Sequence, residues 1–277
     1  MRSPIKYYGG KSYMAGMLVD RFPRDYGLYV EGFGGGASVL FAKAQSGMEV
    51  YNDLYNGVYS LYKVLQDDEM AGRLIDRMKT SCYSRRFHDE YRNDLIAGGM
   101  SIEDTAYKYL YVNRSSFNGV GGFSVTKLPR RGMMKSTSDW LSMVGGLDDV
   151  HRRLSTVVIE NLDIFELVQK YDSPSTFFYF DPPYVWSTRK SSQRYGVEMT
   201  DDEHVEFVRI LCDLKGKALV TIYDSEIYDE LSAHGYVRED VRRPNSKDIE
   251  TIYRNYEVVT YANDGSTHGM LELGADV

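Results

Sequence analysis

Thr176-Phe177-Phe178-Tyr179-Phe180-Asp181-Pro182-Pro183-Tyr184 is the stretch that decides how this chain is read. Residues 176–180 form a short apolar run, the pattern of a strand buried on both faces of a parallel sheet. The turn after it then falls at the carboxyl edge of the sheet, where open α/β folds bind ligands. Pro182 and Pro183 stiffen that turn and remove two N–H donors, leaving carbonyls and the Asp181 carboxylate as acceptors. Acceptors beside the Tyr184 ring suit a planar group with an exocyclic amino group. A rigid Pro-Pro turn capped by Asp181 is the purely structural alternative.

Strands alternate with helices on both sides of this stretch. Upstream, residues 28–30 read as a strand, 32–36 as a tight loop and 37–44 as a helix. A second strand over 48–51 precedes a helix over 54–65. Downstream, strands are expected at 157–159 and 218–223, and helices at 164–169 and 225–234. Thr200 with Glu203 caps a helix running to 212, and Ser101 with Asp104 caps another through 112. The tail, 236–241 with 257–261, reads as an antiparallel pair. The pattern predicts an α/β chain with a mostly parallel sheet built from residues 1–65 and 156–277, interrupted by a mainly helical insertion at 66–155.

Glu31-Gly32-Phe33-Gly34-Gly35-Gly36-Ala37 lies between a strand and a helix, the context in which glycines let a ligand approach the backbone. Asp53 ends the next strand about 20 residues on, where a carboxylate accepts from ribose hydroxyls. The two together point to a bound nucleoside. A nicotinamide dinucleotide fits them as well, because Gly32-x-Gly34-x-x-Ala37 matches that fingerprint, and a structural glycine turn explains the loop without any ligand.

Composition narrows the class. The 277 residues are 43% hydrophobic and 26% charged, ordinary for a folded globular chain. No apolar run approaches the ~18 residues of a membrane span. The first residues do not resemble a secretion segment, so a cytoplasmic protein is expected. Cys82 and Cys212 stand alone, which excludes a cysteine-based zinc site, and no metal is expected. The net charge of −7 alone disfavours nucleic acid. Its distribution does not: residues 105–138 hold no Asp or Glu but carry Lys108, Arg114, Lys127, Arg130, Arg131 and Lys135. A second acid-free stretch after Tyr184 carries Arg189, Lys190 and Arg194. Such surfaces attract phosphate unless acidic neighbours balance them in space.

Taken together with Lys6-Tyr7-Tyr8-Gly9-Gly10-Lys11 and Asn113-Arg114-Ser115-Ser116-Phe117-Asn118-Gly119, these motifs resemble the Dam-like DNA adenine-N6 methyltransferases, in the order that family uses. The resemblance runs from about residue 5 to 261. It implies a Rossmann-like methyltransferase sheet, S-adenosyl-L-methionine as cofactor and duplex DNA as partner, read by the 66–155 insertion. It also implies a cognate restriction endonuclease as a further partner, in a bacterial or phage-encoded setting at the nucleoid.

By the same resemblance, Tyr7 lies near the cofactor adenine, while Lys11 and the loop from Glu31 through Phe33, Gly34, Gly36, Ala37 and Ser38 lie near its methionine end. Asp53 holds the ribose. Asp163 contacts the adenine amino group, or else caps a helix. Asp181, which also borders the cofactor, and the Pro182 carbonyl accept from the target amino group, while Tyr184 stacks on the flipped base. Lys6, Arg114, Phe117 and Asn118 face DNA, with Lys127 and Arg130 as further readers. Gly122 replaces an arginine common in the family four residues after the Asn of this signature, which unsettles a GATC-like target without touching the chemistry. Methylation of RNA or of a protein amide would use the same two motifs, and a catalytically silent DNA-binding module is a further reading.

Overall fold

The structure is a computed structural model, described here for residues 1–188, 197–243 and 248–258. Seven strands form one sheet: β1 (Leu28–Glu31), β2 (Met48–Asn52), β5 (Val157–Glu160), β6 (Thr176–Phe180), β7 (Lys217–Ile222), β8 (Val237–Arg242) and β9 (Ile249–Arg254). Their order is β5-β2-β1-β6-β7-β9-β8. The first five run parallel, and β9 pairs antiparallel with both β7 and β8. All of β6 is buried, as its apolar run requires.

Side chains alternate across each strand, so the sheet sorts them into two cores. Tyr29, Tyr51, Phe177 and Tyr179 face one core, while Val30, Val50, Phe178 and Phe180 face the other. Each such ring or branched chain contributes about 1.5–3 kcal/mol by leaving water. The second core is closed by α9 (Ile164–Tyr171), α10 (Asp201–Cys212) and α11 (Glu230–Ala233). Thr200 and Glu203 form the predicted capping box on α10. The first core is closed by α1 (Ala15–Val19), α2 (Ser38–Ala42) and α3 (Asn56–Gln66) together with helices of the inserted region.

That region contributes α4 (Asp68–Lys79), α5 (Arg85–Ala97), α6 (Ile102–Ser115), α7 (Lys135–Val144) and α8 (Leu147–Leu154). Ser101 caps α6 by accepting from the Asp104 N–H. Between α6 and α7 a small hairpin, β3 (Pro129–Arg130) and β4 (Met133–Met134), turns through Arg131 and Gly132. Both turn residues have positive φ, 53° and 74°, the geometry whose twist matches a two-residue hairpin loop.

Two expectations need correction. The helix expected over 225–234 is a 3-10 turn, Glu226–Tyr228, followed by the four-residue α11. Only Tyr228 and Leu231 of these elements are buried, too few anchors for a longer amphipathic face. The last strand is Ile249–Arg254 rather than 257–261. It lies between β7 and β8, and its four consecutive residues 250–253 are buried, so the alternation that marks a half-buried strand is missing. Residues 257–258 carry no strand, and 259–261 lie outside the described residues, as do Arg189, Lys190 and Arg194.

Candidate active site

The parallel strands end along one edge, and a cleft opens there between the glycine loop, the start of α9, the N-terminal Tyr7–Lys11 segment and the turn after β6. It encloses about 1030 Å³, open solvent at its mouth included. Tyr7, Lys11, Glu31, Phe33, Gly34, Gly36, Ser38, Asp53, Asp163, Asp181 and Pro182 all line it. Ala37 is off the wall, fully buried beneath the loop. Its φ of 52° is a left-handed conformation that costs a non-glycine residue about 1–3 kcal/mol.

The loop is glycine-rich because its floor is aromatic. A Cβ on Gly34 would lie 2.0 Å from the Tyr51 ring. The Tyr51 hydroxyl in turn donates to the Gly35 carbonyl at 2.7 Å. Asp53 fixes the loop from the other side: its carboxylate accepts from the Gly35 N–H at 2.7 Å and the Tyr55 N–H at 2.8 Å. Burial raises the Asp53 carboxyl to about 6, against the pull of those two amides. Glu31, buried and accepting from the Tyr29 hydroxyl at 2.7 Å, is pushed up to about 8 by burial.

Sequence reading missed Asn52 as a site residue. Its Nδ2 donates to the carbonyls of Gly32 and Leu162, both at 3.0 Å, and its Oδ1 accepts from the Leu162 N–H at 2.8 Å. One buried amide thus joins the loops after β1 and β5. Asp163 lines the cleft and also caps α9, accepting from the Phe165 N–H at 2.8 Å. The helix-capping reading of that residue is the one its hydrogen bond shows.

At the turn after β6, the Lys11 ammonium donates to Asp181 Oδ1 at 2.6 Å and also to the Tyr184 hydroxyl. Thr221 Oγ1 donates to the same Asp181 oxygen at 2.9 Å. Burial raises the Asp181 carboxyl above the ordinary carboxylate range, with the Lys11 cation opposing. Lys11, expected at the methionine end of a cofactor, therefore spans to the acceptor turn. Tyr184, expected to stack on a base, is 4% exposed, packs against Tyr223 with ring centroids 4.2 Å apart and is not on the cleft wall. Its hydroxyl is held inward, donating to Glu250 at 2.6 Å. Glu250 went unnoticed in the sequence, where an acid in a polar tail carries no signal of burial.

The DNA-facing candidates divide. Phe117 is 65% exposed, and Asn118, Lys127 and Arg130 are exposed too. Asn118 has a φ of 51° and so projects from a left-handed kink. Lys6 turns inward: its ammonium donates to the carbonyls of Arg114 and Ser116 at 3.2 and 3.0 Å, and burial lowers it to about 8. Arg114 is largely buried and reaches the Asp139 carbonyl at 3.5 Å, while its Nε makes no hydrogen bond among the described residues. Asn113 clamps the two segments together, pairing both polar groups of Lys6's own peptide backbone at 2.8 Å. Acidic neighbours balance part of the basic stretch, Lys108 by Asp94, and Arg130 and Lys135 by Asp139. Gly122 is exposed with open space where a side chain would start. Outside the cleft, Cys212, Glu230 and His234 bring potential metal-ligating atoms within 4.8 Å of one another, at the end of α10 remote from the carboxyl edge.

The carboxyl edge of the parallel sheet thus brings the glycine loop, the buried Asp53 carboxylate and the Asp181-Pro182-Pro183 turn into one cleft. The chain belongs to the D12 class N6 adenine-specific DNA methyltransferases, whose family model matches residues 7–252. It is 23% identical over 257 residues to the Type II methyltransferase M.CviBI of Paramecium bursaria Chlorella virus NC1A, covering 88% of this chain and 90% of that one. It is 24% identical over 234 residues to Type II methyltransferase M.MjaIII of Methanocaldococcus jannaschii, covering 74% and 77%. A third relative, Type II methyltransferase M1.LlaDCHI of Lactococcus lactis subsp. cremoris, is 24% identical over 205 residues, 67% of this chain and 66% of that one. The protein is thus an adenine-specific DNA methyltransferase that takes its methyl group from S-adenosylmethionine. Among the described residues, no helix is long and apolar enough to cross a membrane.

Proposed function

We propose that the enzyme methylates N6 of an adenine flipped out of duplex DNA, with Asp181 and the Pro182 carbonyl as the acceptors for its amino group. The observation that carries this reading is the Asp181 carboxylate at the carboxyl edge, lining the same cleft as Asp53 and Glu31. The cleft fits the cofactor on its own chemistry. Two buried carboxylates with raised proton affinity line it and suit a ligand that is both hydroxylated and cationic. Asp53 would hold the ribose, and Glu31 the cationic end. When bound, S-adenosylmethionine supplies an electrophilic methyl group.

The amino group of adenine is a poor nucleophile, since its lone pair is delocalised into the ring. Asp181 and the Pro182 carbonyl, accepting from both N–H bonds, favour a tetrahedral nitrogen whose lone pair is available. The same acceptors stabilise the positive charge that develops on nitrogen, an effect typically of a few kcal/mol for each group. Lys11 holds the Asp181 carboxylate in place by one oxygen.

Residues 66–155 serve in this reading as the target-recognition part, with Phe117, Asn118, Lys127 and Arg130 toward DNA, and Lys6 and Arg114 bracing the loop from within. Empty space at Gly122 supports a short adenine-containing site relaxed at one position relative to GATC. The Type II names of the relatives support a partner endonuclease of the same specificity, and action on DNA supports a place at the nucleoid of a bacterial or phage-infected cell. Labelled methyl transfer to duplex DNA, RNA and protein, followed by nucleoside analysis, tests the reading. N6-methyladenine confined to duplex DNA is the expected product, and label in RNA or protein alone overturns it.

A further inference from the structure

Glu250 lies in β9, two strands from the acceptor turn, and is 1% exposed. A carboxylate so deeply buried is unfavourable unless every oxygen is engaged. Here Oε2 accepts from the Tyr184 hydroxyl at 2.6 Å and Oε1 from the Tyr13 hydroxyl at 2.7 Å. Lys11 Nζ lies 4.0 Å from Oε2, and Arg243 Nε lies 3.5 Å from Oε1. An ionised carboxylate only accepts, so the Tyr184 proton must point to Glu250. The tyrosine oxygen then turns its lone pairs to Lys11, which donates to it and, with a second proton, to Asp181. A Tyr184 hydroxyl pointing the other way would repel the ammonium.

We infer that Glu250 is a positioning residue for methyl transfer, orienting the Tyr184–Lys11 chain that presents the Asp181 carboxylate to the amino group. The inference rests on the reading of Asp181 as the acceptor. It assigns Tyr184 a role as a hydrogen-bond relay, which accounts for its inward-held hydroxyl. Buried networks of this kind act as units, so removing two members should cost little more than removing one.

The test compares Glu250→Gln, Tyr184→Phe and the double variant in single-turnover methylation of duplex DNA, with KM for DNA and calorimetric cofactor affinity measured alongside. Glu250→Gln keeps the shape and loses the charge. The expected result is a rate at least ~10-fold lower, with cofactor affinity and KM within ~3-fold of wild type, and a double variant no slower than the slower single. A wild-type rate in Glu250→Gln, strictly multiplicative losses, or a rate loss matched by an equal loss of cofactor affinity overturns the inference. Should Glu250→Gln fold poorly by circular dichroism, Tyr184→Phe carries the test alone, since it removes only the linking hydroxyl. An Asp181→Ala enzyme of normal rate defeats the acceptor reading itself. An inactive Asp181→Ala beside a fully active Glu250→Gln defeats only the role given to Glu250.

Discussion

Lys11 and Asp181 stand 170 residues apart in the chain and 2.6 Å apart in space, joining the N-terminal segment to the turn after the central strand. The contact brings a cation to one oxygen of the carboxylate that the amino group must reach. It also explains how a carboxyl raised by burial is nevertheless held in a defined orientation.

Asp181→Ala should lower turnover at least ~100-fold while cofactor affinity stays within a few-fold, because the lost interaction is strongest as charge develops on nitrogen. Single-turnover kinetics with parallel calorimetry checks this. Near-normal turnover would remove Asp181 from the chemistry.

Cofactor affinity should depend on pH through Asp53. Its carboxyl titrates at about 6 in the free protein, and only the ionised form accepts from two hydroxyls. Affinity is therefore expected to fall as pH drops through 6, and Asp53→Ala should bind weakly at every pH without that acid limb. Unchanged affinity in the variant would take Asp53 out of the ribose site.

Uptake of the cationic cofactor should release a proton near neutral pH. Glu31, raised to about 8, is mostly protonated at pH 7, and a nearby positive charge favours its ionised form. The binding enthalpy should then vary with the ionisation enthalpy of the buffer, and Glu31→Gln should abolish that variation. Buffer-independent enthalpy in the wild type would place the cationic end elsewhere.

DNA affinity should fall with salt less steeply than the basic stretch alone implies, since Asp139 neutralises Arg130 and Lys135. Replacing Asp139 by Asn frees two cations and should steepen the slope of log affinity against log salt by about 1–2. Equal slopes for the two proteins would show that this surface does not meet phosphate.

Methyladenine mapping across a random duplex library should give a short site with one relaxed position. A missing bidentate contact lowers discrimination by about 1–3 kcal/mol, or one to two orders of magnitude. Strict four-base specificity that survives Lys127→Ala and Arg130→Ala would move the reader out of this loop.

The parallel sheet, the cleft at its carboxyl edge and most of the residues that line it were legible in the sequence. Those features are local: four consecutive aromatic residues in β6, a glycine run after β1 and two prolines beside Asp181 each fix their own backbone. Tertiary structure alone decided which charges meet. Lys6 and Arg114 read as DNA contacts because they are basic and fall in a recognised motif, yet both side chains turn inward once Asn113 draws residue 6 against α6. Glu250 and Asn52 gave no sequence signal, since each is marked by partners brought in from far along the chain, Tyr184 66 residues from Glu250 and Leu162 110 residues from Asn52. Burial on both faces erased the alternation that would have located β9. Hydrogen bonding and desolvation depend on what the fold brings within 3 Å, and no local pattern records that distance.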